Sequence, residues 1–209
     1  MKLYGFGESG NAYKVALMLT LTGTPWELEF VPFFTGGTRT PEFRAINPMG
    51  EVPVLVDDTV TLSQSGVMLE YLAELSGQFA GRDPGERREV LRWLFWDNHK
   101  LSANAGTLRF LRNFLPQDKR PEAVFPFLEG RLKAAYRVLD DHLSSRDWIV
   151  GAGPTVADLS CCGYLFYPEP FGFDREDWPN IAAWLDRIAS LPGWQHPYDL
   201  MPRAFPSAS

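Results

Sequence analysis

Three short stretches of the sequence carry side chains suited to holding and activating a small ligand. Ser9 and Asn11 lie in the polar turn Glu8-Ser9-Gly10-Asn11, between a short apolar segment and a run of helical periodicity, so a hydroxyl and an amide face a helix N-terminus. A hydrogen-bond donor at such a place stabilises a bound thiolate. A free thiol with a pKa of about 8.5 is only a few per cent ionised at neutral pH, and a hydrogen bond plus the helix field favours the anion. The structural alternative is that these side chains simply cap the helix. Ser63-Gln64-Ser65-Gly66 repeats the geometry, and here the backbone N–H groups and the positive helix end suit a carboxylate, with Gln64 and Ser65 adding side-chain hydrogen bonds. A plain N-cap is again the alternative. Val52-Pro53 opens an otherwise good strand after the turn Asn47-Pro48-Met49-Gly50, although proline is normally kept out of central strands. A cis Val52–Pro53 bond would turn the backbone so that Val52 offers its N–H and C=O to an extended peptide ligand. A trans proline on an edge strand accounts for Pro53 equally well, and both readings stand.

Other chemistries find no support in the residue types. The two cysteines, Cys161 and Cys162, are adjacent, which is not the disulfide framework of a secreted domain. On a helix they point in different directions, so both are expected in the core rather than bridged. His99, His142 and His196 are widely separated and show no ligand spacing, so no metal is expected. A formal net charge of −6 and a pI near 5.1 draw the chain to neither nucleic acid nor an anionic membrane. No apolar run approaches membrane-spanning length and the opening Met1-Lys2-Leu3-Tyr4 has no signal-peptide character, so a cytosolic address is expected.

The elements that must position these residues follow from periodicity. Lys2–Phe6 reads as a buried strand. From Ala12 the apolar positions Val15, Ala16, Leu19 and Leu21 mark a helix stopped by Gly23 and Pro25, and Trp26, Leu28 and Phe30 alternate as a second strand. After a Gly/Thr loop and one helical turn at 41–44, residues 52–56 and 60–62 form a hairpin turned at Asp57-Asp58. A helix capped by Ser63 or Ser65 carries Val67, Met68, Tyr71, Leu72 and Leu75 to Ser76-Gly77. The order is βαβ-ββα. Beyond a Gly-rich stretch at 78–85 no strand is predicted; helices are expected over about 86–114, 121–143, 155–167 and 179–191, the second either starting late or kinking at Pro126. Thr155 and Asp158, after Gly153-Pro154, can cap reciprocally. The aromatic run Trp93, Phe95 and Trp96 and the later Phe110 and Phe114 serve as core or line a pocket.

In order and spacing these features resemble the bacterial branch of the cytosolic glutathione transferase superfamily, of the serine/asparagine type, over nearly the whole chain. Ser9-x-Asn11-x-x-Lys14-Val15 is similar to the family's first turn and helix, Asn47-Pro-x-Gly50-x-Val52-Pro53-Val54-Leu55 to its cis-proline segment, and Ser63-Gln64-Ser65 to its γ-glutamyl site. Gly153–Asp158 is similar to the buried capping box of its helical domain, which implies a buried and satisfied Asp158. The resemblance implies a thioredoxin-like α/β glutathione-binding domain over 1–77, a linker at 78–85, and an all-α domain over 86–209 that supplies the pocket for a small apolar second substrate. It also implies that Ser9, assisted by Asn11, activates the thiol of glutathione as co-substrate, that Val52 pairs with the cysteinyl backbone beside a cis Pro53, and that Gln64 and Ser65 hold the γ-glutamyl end. A homodimer is implied as well. Residues 7–14 hold no cysteine, so any disulfide or peroxide reduction would use the thiol of glutathione itself. Binding of glutathione or another ligand without turnover is the third function class in view.

Overall fold

The structure, a computed structural model, describes residues 1–58 and 60–205. Residue 59, in the turn of the expected hairpin, and residues 206–209, the end of the expected helical domain, lie outside the described residues. The chain divides into two compact units, Met1–Gln78 together with the segment beginning at Pro192, and Phe79–Leu191.

In the first unit, β1 (Lys2–Gly5), α1 (Gly10–Leu21), β2 (Glu27–Phe30), α2 (Pro41–Ile46), β3 (Val54–Val56), β4 (Thr61–Ser63) and α3 (Ser65–Ser76) follow one another, the thioredoxin-like βαβ-ββα order with α2 in the crossing to β3. The strands form one mixed sheet ordered β2-β1-β3-β4, with β1 parallel to β2 and antiparallel to β3, and β3 antiparallel to β4. A parallel pair cannot be joined by a tight turn, and α1 is the crossover that β1 and β2 require. Along β1 and β3, Tyr4 opposes Val54 while Leu3 opposes Leu55, so the period of two sends these pairs to opposite faces. Val54 joins Val31 and Phe43 in a buried cluster rimmed by Tyr4, Ile46, Val52 and Val56. Phe43 on α2 is the ring that closes this face, and burying it contributes about 2–3 kcal/mol. Ala12 through Leu19 of α1 are all buried, because α1 meets β1, α3 and the short helix α9 (Pro197–Leu200).

The second unit is helical among its described residues. Asp83 caps α4 (Pro84–Trp96), its Oδ1 accepting from Gly85 N–H at 2.7 Å and Glu86 N–H at 3.0 Å, so the helix opens two residues before the expected 86. The expected helix to about 114 is continuous but not uniform: a π-helical turn, Asp97–Ser102, joins α4 to α5 (Ala103–Asn113). Asp97 is fully buried and accepts from Ser102 Oγ, five residues on, at 2.8 Å, and from Ser160 Oγ at 2.6 Å. That side-chain bridge matches the wider i to i+5 spacing. α6 (Phe125–Leu143) starts late, which puts Pro126 in the first turn where its missing N–H costs nothing.

α7 (Val156–Cys161) is shorter than the predicted 155–167. Past Cys161 the chain continues in tight turns, with Gly163 N–H bonded to Ser160 O and Leu165 N–H to Cys162 O. The Thr155–Asp158 capping box is present, and fully buried Asp158 takes four hydrogen bonds, from Thr155 N–H and Oγ1, Ile149 N–H and Trp184 Nε1 at 2.8–3.1 Å. Burial pushes its carboxyl pKa up against the pull of those bonds. Trp184 belongs to α8 (Pro179–Ala189). Cys161 and Cys162 are buried and unbridged. Residues 192–205, expected with the helical half, belong instead with the first unit: Tyr13 Oη donates to Gln195 O at 2.9 Å and α9 meets α1.

Candidate functional site

Beyond β1 the chain turns through Phe6–Ser9, closed by Ser9 N–H to Phe6 O at 3.1 Å. Ser9 is nearly buried and extended, and its Oγ accepts from Ala12 N–H at 3.2 Å as the N-cap of α1. A hydroxyl has two lone pairs and one proton. Capping occupies a lone pair, so Ser9 can cap the helix and donate its proton at the same time, and the two uses weighed from the sequence are compatible.

The Val52–Pro53 bond is cis. Both ladders of β3 run over Val54–Val56, leaving Val52 outside them. The segment before it is fixed by Asn47, which is buried: its Nδ2 donates to Glu51 O at 2.8 Å, its Oδ1 accepts from Met49 N–H at 3.2 Å, and its carbonyl accepts from Gly50 N–H at 3.0 Å. Gly50 has φ +66°, and a Cβ there would stand 3.2 Å from Thr38 O, so the turn favours glycine for two reasons.

Gln64 is the N-cap of α3, with φ 71° and ψ 112°. A side-chain-bearing residue held there costs on the order of 1–3 kcal/mol, a strain that gathers at functional sites. The exposed Gln64 side chain makes no cap hydrogen bond. Its Nε2 lies 3.4 Å from Glu51 Oε2 and 3.5 Å from Met49 Sδ. Ser65 Oγ donates to Asn11 Oδ1 at 3.4 Å. These contacts draw three separate turns together: Ser9 and Asn11 at the start of α1, Gln64 and Ser65 at the start of α3, and the segment leading into Val52 and Pro53. All six residues singled out in the sequence are therefore brought to one place, where two helices of 12 residues each begin. Each helix start carries a partial positive charge of roughly half a unit, and the first N–H groups of each have no acceptor within the helix.

One residue of this region escapes sequence reasoning. Glu8 has a side chain only 1% exposed; its Oε1 accepts from Arg203 Nε at 3.2 Å and Phe205 N–H at 3.1 Å, and its Oε2 from Ala204 N–H at 2.8 Å. Its partners lie almost 200 residues downstream, beyond the reach of any local pattern. Among the described residues no group of three His, Cys, Asp or Glu stands close enough to hold a metal ion.

Residues 8–75 match the N-terminal domain of glutathione S-transferase and residues 105–192 its C-terminal domain. The crystal structure of a glutathione S-transferase from Xanthobacter autotrophicus Py2 is 35% identical at a TM-score of 0.86, covering 95% of this chain and 98% of that one. The chain belongs to the glutathione S-transferase family. Within the family, the disulfide-bond oxidoreductase YfcG of Escherichia coli K12 is 29% identical over 90% of this chain and 89% of its own. A glutathione transferase from Burkholderia graminis, crystallised with two glutathione molecules bound per subunit, matches at a TM-score of 0.83 and 28% identity, covering 92% of this chain and 84% of that one.

Proposed function

We propose that this family member is an enzyme of the bacterial serine/asparagine type that binds glutathione at the first unit and directs its thiolate at a small apolar electrophile. The observation that carries this reading is the Ser65–Asn11 contact, which sets two helix starts side by side around Ser9. The γ-glutamyl carboxylate of glutathione binds at the start of α3, with Gln64 donating to it and Ser65 turning its one hydroxyl proton from Asn11 Oδ1 to it. Val52, outside the strand ladders, pairs with the cysteinyl backbone, and Pro53 fixes the direction of that pairing. The sulfur then lies at the start of α1. Ser9 donates its hydroxyl proton in a hydrogen bond to the thiolate, Asn11 assists, and the thiol proton leaves to solvent. The sulfur lone pair forms the new bond to the electrophile as the leaving group departs with the electrons of the broken bond. The enzyme works as a cytosolic homodimer with glutathione as co-substrate, without a metal, and without nucleic-acid or membrane partners.

A second reading has a specific support in the similarity to YfcG. Here the glutathione thiolate attacks a disulfide sulfur, forming a mixed disulfide and releasing a thiolate, since residues 7–14 contain no cysteine to do so. Conjugation of 1-chloro-2,4-dinitrobenzene and reduction of hydroxyethyl disulfide, both with glutathione, separate the two. Conjugation is the expected activity. Disulfide reduction alone replaces the first reading with the second, and glutathione binding without either turnover leaves a binding protein.

A further inference from the structure

The segment 201–205 lies as a strap on the turn that carries Ser9. Gly7 N–H donates to Pro202 O at 2.7 Å, and a Cβ on Gly7 would stand 2.7 Å from Met201 O, so strap and turn touch backbone to backbone and only glycine permits it. The next residue, Glu8, holds the strap through the three donors described above. Two of them are consecutive backbone N–H groups, of Ala204 and Phe205, and the third is the Arg203 guanidinium, which also lies over the Tyr198 ring at 4.3 Å. A buried carboxylate is tolerated only when its oxygens are paired in this way.

What the clamp positions is an aromatic ring. Phe205 meets Phe34 edge to face at 4.9 Å; Phe34 meets Phe6 at 5.8 Å and Phe33 at 5.3 Å; Phe33 stacks on Phe6 at 5.0 Å. Phe6 is buried, whereas Phe33, Phe34 and Phe205 are half-exposed. Phe6 and Ser9 are the two ends of one hydrogen-bonded turn, so this wall of rings begins where the proposed sulfur site begins. We infer that Glu8 is a positioning residue: by clamping the strap it holds Phe205 against Phe34, completing an aromatic wall that selects a flat aromatic group carried on the glutathione sulfur. Offset and edge-to-face ring contacts give such a wall its preference. The inference rests on the glutathione reading above and deepens it.

Calorimetric titration with glutathione and with S-(2,4-dinitrophenyl)glutathione tests it without requiring turnover, in the native protein, Phe205→Ala, Glu8→Gln and the double variant. The native protein is expected to bind the aryl conjugate more tightly than glutathione. Each single variant is expected to cut that preference roughly 3- to 10-fold, the range of an aromatic pair, with the glutathione Kd unchanged. The double variant is expected to lose no more than Phe205→Ala alone, because both act through one ring. Where Glu8→Gln does not fold, Arg203→Ala releases the clamp from its exposed side. An unchanged preference in Phe205→Ala, losses that multiply in the double variant, or a Glu8→Gln effect as large on glutathione as on the conjugate each overturns the inference. Native protein that binds glutathione but shows no preference overturns the inference alone; native protein that binds neither ligand overturns the glutathione reading as well.

Discussion

Ser9 and Gln64 both stand at the start of a 12-residue helix, and they serve it differently. Ser9 spends a lone pair of its side chain on Ala12 N–H, whereas Gln64 caps with its carbonyl, which accepts from Val67 and Met68 N–H, and keeps its amide outside. The Gln64 side chain is therefore dispensable for holding α3 and available to a ligand, whereas the Ser65 hydroxyl reaches a ligand by exchanging its Asn11 Oδ1 acceptor for it. Replacing both with alanine is expected to weaken glutathione binding by roughly 1.5–3 kcal/mol for each bond lost to a charged group. The urea midpoint should barely move. Calorimetric titration checks the first, and unchanged affinity would remove this site from the mechanism. The types of these residues and their place before a helix were legible in the sequence. The backbone strain at Gln64 was not, because a glutamine at φ 71° has no sequence signature.

At the scale of elements, Asp158 shows how one capping side chain can organise a unit. It joins the start of α7 to Ile149 before it and to Trp184 on α8. Asp158→Ala leaves at least the buried Ile149 and Trp184 N–H groups without acceptors, at about 1–3 kcal/mol each. A loss of roughly 3–5 kcal/mol in urea unfolding is expected, far above that of an exposed cap. The local box was legible from Thr155-x-x-Asp158; its reach to Trp184, 26 residues on, was not. The same division runs through the fold. The helix and strand periods of the first unit gave its element order, and the cis geometry at Pro53 was one of two open readings. The π-helical turn at Asp97–Ser102 was not legible from helical periodicity, and the buried Asp97 within it bonds to Ser102 and to Ser160, 63 residues on. α7 ends early although Cys162–Phe166 has the apolar character of a helix.

For the whole molecule, the return of residues 192–205 to the first unit was the largest departure from the sequence reading. Its cause is long-range: Gly7, Glu8 and Tyr13 supply the bonds that receive it, and none of them marks a partner so distant. No helix among the described residues is long and apolar enough to cross a membrane. The proposed homodimer predicts a light-scattering mass of twice 23.6 kDa at micromolar concentration. A mass near 23.6 kDa would contradict it.

Proposed activation of glutathione by Ser9 is read straight from thiolate absorbance against pH in the glutathione complex of the native protein, Ser9→Ala and Asn11→Ala. Loss of one hydrogen bond to a charged sulfur removes roughly 1.5–3 kcal/mol, or about one to two pKa units. Ser9→Ala is therefore expected to move the titration upward by that amount, with glutathione affinity nearly intact at pH below the native titration, where the bound thiol is protonated, and Asn11→Ala to move it less. An unchanged titration in Ser9→Ala would contradict the claim, assigning activation to Asn11 if its variant shifts upward and to the backbone N–H groups and helix field if neither does.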